Sequence, residues 1–203
     1  MKLSEAVRGV SGTLAADGEF SCIAFATEQE QSQFLTFLEK EKFLPALDNS
    51  KISCVLTTSA LAEKIPPHIK GVFLCDRPKA ALFEIHNRLA RHPDYVGASA
   101  ATVVGEGCSI SPLAAIDCEN VVIGDRVTIE PFVVIKGRVI IGNDVTIRSG
   151  AVIGCKGFSF SKDAQGQNVS VEDTARIIIE DHVEIFEQVA ISTGIFPWEE
   201  TRI

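Results

Sequence analysis

The feature that most constrains the fold of this chain is a count of six in its second half. Aliphatic residues recur at every sixth position, with one step of seven between Ile116 and Ile123, and the count resumes after an interruption. The positions are Val104, Ile110, Ile116, Ile123, Ile129, Ile135, Ile141, Ile147, Ile153, Ile179, Ile185 and Ile191. An amphipathic helix needs apolar spacing near 3.6 and a half-buried strand needs spacing near 2. The period of six predicts a parallel β-helix.

In such a coil, three short strands and three corners close one turn. The aliphatic residue of each hexad is expected to point inward and to stack on its equivalent one coil away, at roughly the 4.8 Å spacing between strands. Gly and Asn suit the corners because they tolerate positive φ. A β-sandwich of alternating strands is the alternative, and the two long registers of aliphatic residues disfavour it.

Residues 1–98 lack the hexad and are predicted to form a small α/β domain that begins with a β-rich segment, 20–27. Short apolar runs predict buried strands at 53–58 and 71–76. Between them a short helix is expected over 59–64, with Ser59 as its N-cap. Pro78 suits the first turn of a helix that buries Ala81, Leu82, Ile85 and Leu89 and ends before Pro93. Residues 93–99 then join this domain to the β-helix.

The β-helix itself is predicted to span residues 99–203, with an interrupting loop at about 155–176. This loop is polar and contains Gly, but it also holds Phe158 and Phe160. A long loop leaving a regular solenoid is usually functional or an inter-subunit contact. We expect the two aromatic rings to pack against the parent chain or a neighbouring protomer rather than to bind a ligand.

The charge, the apolar runs and the cysteines of the chain limit the partners and the compartment that can be expected for it. The chain has 203 residues and a formal net charge of −8, which argues against nucleic acid as a partner held by bulk charge. No apolar run reaches the length of a transmembrane segment, and the N-terminus has no apolar core of a signal peptide. The six cysteines show no CxxC pair and no metal spacing. They are interpreted as reduced, buried thiols of a cytoplasmic protein, and no metal site is predicted.

The four histidines give little sign of catalysis. His86 and His92 lie on or after the predicted helix, and His68 lies in a loop, where solvated or capping roles are commoner. His182 is the one histidine of the hexads. It occupies the fourth place of its repeat, close to a corner, where side chains usually face outward. We assign no catalytic residue.

Two groups of segments carry a family resemblance. The β-helix contains GAVIGCKGFSF (150–160) followed by RIIIEDHVEIFEQVAI (176–191), and the N-terminal part contains LTFLEKEKF (35–43) followed by SCVLTTSAL (53–61). In order and spacing, these segments resemble the UDP-3-O-acylglucosamine N-acyltransferases of lipid A biosynthesis. The resemblance spans nearly the whole chain.

The resemblance implies a fold, partners and a reaction. It implies a homotrimer of left-handed β-helices, an exception to the right-handed crossover rule. The family transfers a 3-hydroxyacyl group from acyl carrier protein to the 2-amine of a UDP-3-O-acylglucosamine, with no other cofactor. The expected partners are therefore a UDP-amino-sugar, acyl carrier protein and, if the β-helix is complete, two further copies of the chain.

The resemblance also implies a substrate site in the N-terminal domain. That domain of the family sandwiches uracil between two aromatic rings, with an asparagine that hydrogen-bonds the base. The aromatic positions fall on Phe37 and Phe43, and the asparagine position is Lys40. Phenylalanine keeps the stacking face. Lysine only donates, so it does not keep the paired donor and acceptor, but it can reach a phosphate. The alternative is that Phe37 and Phe43 are core residues.

The general base of the family is a histidine in a stretch like Asp-Asn-x-x-Gln-Ile-Ala-His, a role that suits a pKa near neutrality. Nothing in this sequence matches that stretch, and the segment 191–195 departs from the family pattern. We expect the β-helix to be incomplete at its C-terminus, as a truncated chain or a divergent relative, and the chain to show little activity alone. A non-catalytic nucleotide-sugar-binding or trimeric assembly module is the alternative. An acetyl-CoA-dependent sugar acetyltransferase is a third interpretation, which the N-terminal segments disfavour.

Overall fold

The computed structural model describes residues 1–162 and 166–203. The chain separates into two compact units. The first unit contains Met1–Leu89 together with Phe160–Val171, and the second contains Ala90–Ser159 and Glu172–Ile203. The division after Leu89 lies close to the predicted boundary at 98. Of the predicted loop at 155–176, residues 163–165 lie outside the described residues.

The first unit is built on one five-stranded sheet. Its strands are β1 Thr13–Ala16, β2 Cys22–Ile23, β3 Phe34–Leu38, β4 Ile52–Thr57 and β5 Gly71–Leu74. Their order across the sheet is β1-β5-β4-β3-β2, and only β1 runs antiparallel to its neighbour. The strands predicted at 53–58 and 71–76 are therefore confirmed as β4 and β5. Their β-branched and aromatic residues suit a sheet that is buried on both faces.

Helices pack beside this sheet. They are α1 Leu3–Ala6, two 3-10 helices at Glu41–Asp48 and Ser59–Lys64, and α2 Pro78–Leu89. The predicted helix over 59–64 is confirmed, but the prediction that Ser59 caps it is wrong. Thr58 holds the cap position, and no side chain makes a capping hydrogen bond there. Because Ser59 is already the first helical residue, its side chain is not placed to accept from the first turn.

Helix α2 begins at Pro78 as predicted and buries Ala81, Leu82, Ile85 and Leu89. The expectation that His86 is a solvated or capping group is wrong, because its side chain is fully buried. His86 lies one residue after Ile85 and four after Leu82, so it extends the apolar face that the sequence pattern defines. The segment 93–99, predicted as a joint, begins with a short helix, α3 Pro93–Val96, in the second unit.

The second unit is a parallel β-helix with three sheets. The first sheet contains β6 Val103–Val104, β9 Val121–Ile123, β12 Arg138–Ile141, β17 Arg176–Ile179 and β20 Glu200–Arg202. The second contains β7 Ser109–Ile110, β10 Thr128–Ile129, β13 Thr146–Ile147 and β18 Glu184–Ile185. The third contains β8 Ala115–Ile116, β11 Val134–Ile135, β14 Val152–Cys155 and β19 Ala190–Ser192.

The hexad positions stack in register. Ile129 lies between Ile110 and Ile147 in adjacent coils, and the corresponding pairs of the other two sheets match in the same way. Most of these aliphatic side chains are buried and form the core of the unit. Val104 aligns with Ile123 but is 47% exposed, because β6 has a neighbour on one side only. The predicted inward stacking is confirmed.

The corner between the first and second sheets carries a ladder of side-chain hydrogen bonds. Oδ1 of Asp125 accepts from the amide of Glu106, Oδ1 of Asn143 accepts from Asp125, and Oδ1 of Asp181 accepts from Asn143. Each side chain thus binds the backbone of the preceding coil. This ladder satisfies corner amides that the strands leave without a sheet partner.

Gly and Asn were expected at the corners, but other residue types occupy several corner positions with positive φ. The third residue after the hexad aliphatic has positive φ in Arg126, Asp144 and His182, and also in Phe132 at the next corner. The coil imposes the left-handed conformation at these places, so residues other than Gly occupy it at a conformational cost.

The interruption of the hexads contains a hairpin that belongs to the first unit. Its strands are β15 Phe160–Lys162 and β16 Asn168–Ser170, which pair antiparallel. Arg77 donates to the carbonyl of Lys162 at 2.6 Å, and Asn87 donates to the carbonyl of Ser170 at 2.9 Å. Val171 is buried. The hairpin is thereby fixed to the two ends of α2. In the second unit, Phe158 is 94% exposed.

All six cysteines are free thiols. The prediction that they are buried is correct for Cys54 and Cys75 only, and Cys118 is exposed. Cys118 follows Ile116 by two residues, in the segment that leaves a strand of the third sheet and turns toward solvent. Burial raises the pKa of Cys22 and of Cys75 to about 11, which keeps both thiols protonated at neutral pH.

Candidate functional site

The three predicted site residues lie at and beyond the carboxyl end of β3. Phe37 is the penultimate residue of this strand and is half-buried. Lys40 has an extended backbone and directly precedes the 3-10 helix Glu41–Asp48. The amide of Phe43 donates to the carbonyl of Lys40 at 3.0 Å. The carboxyl ends of parallel strands are the edge where α/β sheets bind ligands.

Lys40 and Phe43 share one turn, and both are open to solvent. Phe43 is 55% exposed, with Nζ of Lys42 at 4.8 Å from its ring centroid. Within residues 1–162 and 166–203, Lys40 makes no ion pair with a carboxylate. The alternative that Phe43 is a core residue is wrong, because more than half of its side-chain surface is in water. Its ring is therefore accessible from solvent.

Phe37 instead joins an aromatic cluster that the sequence did not reveal. Its ring meets Phe25 edge-on, with centroids 6.4 Å apart and planes at 79°. Phe25 also meets Phe83 of α2 at 6.4 Å and 82°. Phe83 is buried, whereas Phe25 is 36% exposed. Edge-to-face contacts of this kind hold the rings in fixed orientations. No spacing along the chain connects these positions, so only the sheet order places Phe25 here.

Charged groups surround this aromatic surface. Oε1 of Glu39 accepts a hydrogen bond from the amide of Lys79, in the first turn of α2, at 3.2 Å. Nζ of Lys79 lies 5.8 Å from the ring centroid of Phe83. Glu41 forms an ion pair with Lys64. Lysines and aromatic faces together suit a ligand with a flat ring and a negative charge.

His182 does not have the surroundings of a general base. Its side chain is 76% exposed at a corner of the β-helix, as predicted, and its Nδ1 lies 3.9 Å from Oδ2 of Asp144. That carboxylate already accepts two hydrogen bonds from Arg126, both at 2.7 Å. The hydrogen bond from Arg126 holds the pKa of Asp144 below its usual value. Asp144 is therefore engaged with Arg126 and does not orient the imidazole.

Comparison with known proteins agrees with these observations. A model of the bacterial transferase hexapeptide (six repeats) matches residues 120–155, which contain the strands β9 to β14. A protein of Helicobacter hepaticus (strain ATCC 51449 / 3B1) named UDP-3-O-acylglucosamine N-acyltransferase is 31% identical over 92% of this chain and 61% of the relative. A protein of the same name from Coxiella burnetii (strain RSA 493 / Nine Mile phase I) is 28% identical over 95% of this chain and 63% of the relative. The predicted resemblance is confirmed.

The match to the hexapeptide repeat also indicates the handedness of the β-helix in the second unit. It implies that the parallel β-helix is left-handed, as the resemblance predicted. The chain spans less than two thirds of the length of the relatives described above. Within the described residues, no helix combines the length and the apolar character needed to cross a membrane. No group of three or more His, Cys, Asp or Glu side chains that could hold a metal ion lies in that part of the chain.

Proposed function

We propose that this chain serves N-acyl transfer to a nucleotide sugar in lipid A biosynthesis. In this proposal a 3-hydroxyacyl group passes from acyl carrier protein to the 2-amine of a UDP-3-O-acylglucosamine. The observation that carries the proposal is the span of the similarity, which covers 92–95% of the chain and therefore includes both units. A hexapeptide scaffold alone would support only a broad class of transferases.

The first unit is proposed to bind the UDP moiety of the substrate. Phe43 offers an exposed ring on the turn that begins at Lys40, and Phe37 and Phe25 form the aromatic surface at the end of β3. We assign stacking on uracil to Phe37 and Phe43, with Phe25 holding the ring of Phe37. Lys40 takes the place of a base-reading amide, and its ammonium group is suited to the diphosphate.

We further propose that this chain lacks the general base of the reaction. His68 bonds a backbone carbonyl in the first unit, His86 is buried, and His182 is an exposed corner residue. None of the four histidines follows an Ile-Ala pair. Removal of a proton from the attacking amine requires a base within hydrogen-bond reach of it. The chain is therefore expected to bind substrate and to transfer acyl groups poorly.

The remaining partners follow from the same proposal. We expect acyl carrier protein as the acyl donor, a homotrimer of β-helices as the assembly, and the cytoplasm as the compartment. The free state of all six cysteines supports a reducing compartment. No further cofactor is required, because the acyl thioester already carries the activated group.

Two measurements test this proposal. Calorimetry with UDP-3-O-acylglucosamine should show binding that UDP competes away, and a chain without binding heat would overturn the proposal. Acyl transfer from acyl carrier protein should be slow and should rise when imidazole is added as an external base. A reaction mixture without protein corrects for the background that imidazole itself produces.

A non-catalytic binding or assembly module is the second candidate. Lys40 and the placement of the four histidines favour it, because both depart from what the reaction needs. The two candidates differ in the imidazole experiment. A module that only binds the sugar does not align the thioester with the amine, so added imidazole would not raise transfer above the protein-free background.

A further inference from the structure

The turn that carries Phe25 has little support from the sheet of the first unit. It follows β2, which is an edge strand of only two residues. The amide of Glu28 donates to the carbonyl of Phe25 at 2.9 Å and closes the turn. Segments with few hydrogen bonds to a sheet open more easily than its central strands. The place of Phe25, and with it the edge-on contact to Phe37, therefore depends on what else holds this turn.

The side-chain amide of Asn49 holds the turn. Its Nδ2 donates to the carbonyl of Glu28 at 2.7 Å and to the carbonyl of Ala26 at 3.3 Å. Both carbonyls lie between β2 and β3, outside the strands of the sheet. The amide nitrogen of asparagine has two hydrogens, so one side chain can bind both carbonyls at once. Asn49 therefore fixes the backbone on the two sides of the residue that follows Ala26.

A third hydrogen bond fixes the orientation of this amide. Oδ1 of Asn49 accepts from the amide of Lys51 at 3.1 Å, which leaves Nδ2 on the side of the turn. In the reverse orientation, the amide oxygen would face two carbonyl oxygens and the amide nitrogen would face a backbone N–H. The backbone of Asn49 is held as well. Its carbonyl accepts from the amide of Ile52 at 3.1 Å and lies 3.2 Å from Nε2 of His68.

Asn49 also ends the helix that carries Phe43. It directly follows the 3-10 helix Glu41–Asp48, and the fully buried side chain of Leu47 anchors this end of the helix. The first turn of the same helix presents the exposed ring of Phe43. The two carbonyls that Asn49 binds are 21 and 23 residues away in the chain. One amide thus joins the helix that carries Phe43 to the turn that carries Phe25.

We infer that Asn49 is a positioning residue of the proposed nucleotide site. It acts through the rings and not by contact with the base, because it sets the place of Phe43 relative to the surface formed by Phe25 and Phe37. A ligand that touches both segments binds more tightly when they are already in place, since less conformational freedom is lost on binding. This role rests on the proposed binding of the UDP moiety and extends that site to a residue outside its aromatic surface.

Calorimetry of UDP binding to the full chain tests this role with two variants. Asn49→Asp keeps the acceptor for Lys51 but turns a carboxylate oxygen toward the two carbonyls, so the affinity for UDP should fall roughly threefold to tenfold. Asn49→Ala removes the donors without this repulsion and should lose less affinity. Asn87→Asp is the matched control, because Nδ2 of Asn87 also donates to a distant carbonyl, that of Ser170 at 2.9 Å. The control should bind UDP like the wild type.

A second background separates positioning from a loss of stability, with all chains compared at a temperature where their circular dichroism matches that of the wild type. If Asn49 acts by placing Phe43, its effect requires that ring. Asn49→Asp should then change the affinity of a Phe43→Ala chain by less than about twofold. Equal losses in both backgrounds, or wild-type affinity in Asn49→Asp, would overturn the positioning role alone. A wild type without binding heat for UDP would overturn the proposed nucleotide site as well.

Discussion

Gly142 and Asp181 lie in direct contact between adjacent coils of the β-helix. A Cβ atom on Gly142 would lie 2.4 Å from Oδ1 of Asp181 and 2.7 Å from its backbone nitrogen. The same Oδ1 accepts the hydrogen bond from the amide of Asn143 at 2.7 Å. The absence of a side chain at Gly142 is therefore what allows Asp181 to bind the preceding coil.

Replacement of Gly142 by Ala should destabilise the β-helix. The added methyl group meets backbone atoms that cannot move without breaking the ladder, so we expect a loss of about 1–3 kcal/mol in the free energy of unfolding. Denaturant unfolding measures this loss. Gly157→Ala is the matched control, since its Cβ would find only ordinary contacts, the nearest at 3.5 Å. Equal losses in the two variants would contradict the steric explanation.

Asn143→Ala should weaken the same corner by another route. Its Oδ1 accepts from the amide of Asp125 at 2.9 Å, and the alanine variant leaves that amide without its partner. We expect a loss of about 1–3 kcal/mol, measured by denaturant unfolding. Asn143→Asp keeps the acceptor oxygen but adds a charge next to Asp181, so its loss should shrink at high salt. The loss of unfolding free energy in Asn143→Ala should not depend on salt, because alanine adds no charge. If it shrank with salt as much as the loss in Asn143→Asp, the missing hydrogen bond would not explain it.

The stability of the β-helix should fall in acid through Glu130. Hydrogen bonds from Ser149 and Arg148 hold the pKa of this carboxyl below the usual 4.5. A carboxyl with a lowered pKa in the folded state adds stability above its unfolded pKa and loses it as the pH falls through the folded pKa. Unfolding midpoints of the wild type should therefore drop below about pH 4.5.

The variant Glu130→Gln isolates this contribution. It should be less stable than the wild type at neutral pH and should show a smaller decline in acid. Glu187→Gln, at an exposed position of the same corner two coils further along, serves as the control and should follow the wild-type profile. If Glu130→Gln and the wild type declined in parallel, the acid sensitivity would arise elsewhere.

Phe43→Ala should weaken the binding of UDP-sugars without unfolding the first unit. Stacking of a base on an aromatic side chain contributes about 1–3 kcal/mol, so the affinity should fall roughly tenfold to a hundredfold. Because the ring is mostly exposed, the free energy of unfolding should change by no more than about 0.5 kcal/mol. Calorimetry measures the affinity. Phe186→Ala removes an equally exposed ring from the β-helix and should bind like the wild type.

Lys40→Asn should improve the discrimination of uridine from adenosine. An amide offers both a donor and an acceptor to the edge of uracil, whereas ammonium only donates. One hydrogen bond of this kind contributes about 1 kcal/mol, so the ratio of UDP to ADP affinity should rise roughly fivefold. Lys40→Ala loses the charge without gaining an amide. It therefore separates the effect of removing the ammonium group from the effect of adding an amide. An unchanged ratio in Lys40→Asn would place the base edge away from residue 40.

The sequence determined the coil because its period is a local property. Each strand has only a few residues and pairs with the strand one coil away. The six-residue period therefore predicts both which residues point inward and that Ile129 stacks on Ile147. The apolar face of α2 was visible for the same reason, since neighbours on a helix face are three or four residues apart. For the loop at 155–176, the sequence showed only that the six-residue period is interrupted, and it did not predict the hairpin.

Contacts between elements far apart in the chain were decided by the tertiary structure. Phe25 reaches Phe37 and Phe83 because β2 and β3 are parallel neighbours, an order that the hydrophobic pattern does not encode. The hairpin at the ends of α2 and the burial of His86 depend on the same kind of packing. The left-handed corner at Phe132 is imposed by the stacked coils and not by its own residue type. Local periodicity thus specified the scaffold, whereas the surface proposed to bind a nucleotide arises only where distant segments meet.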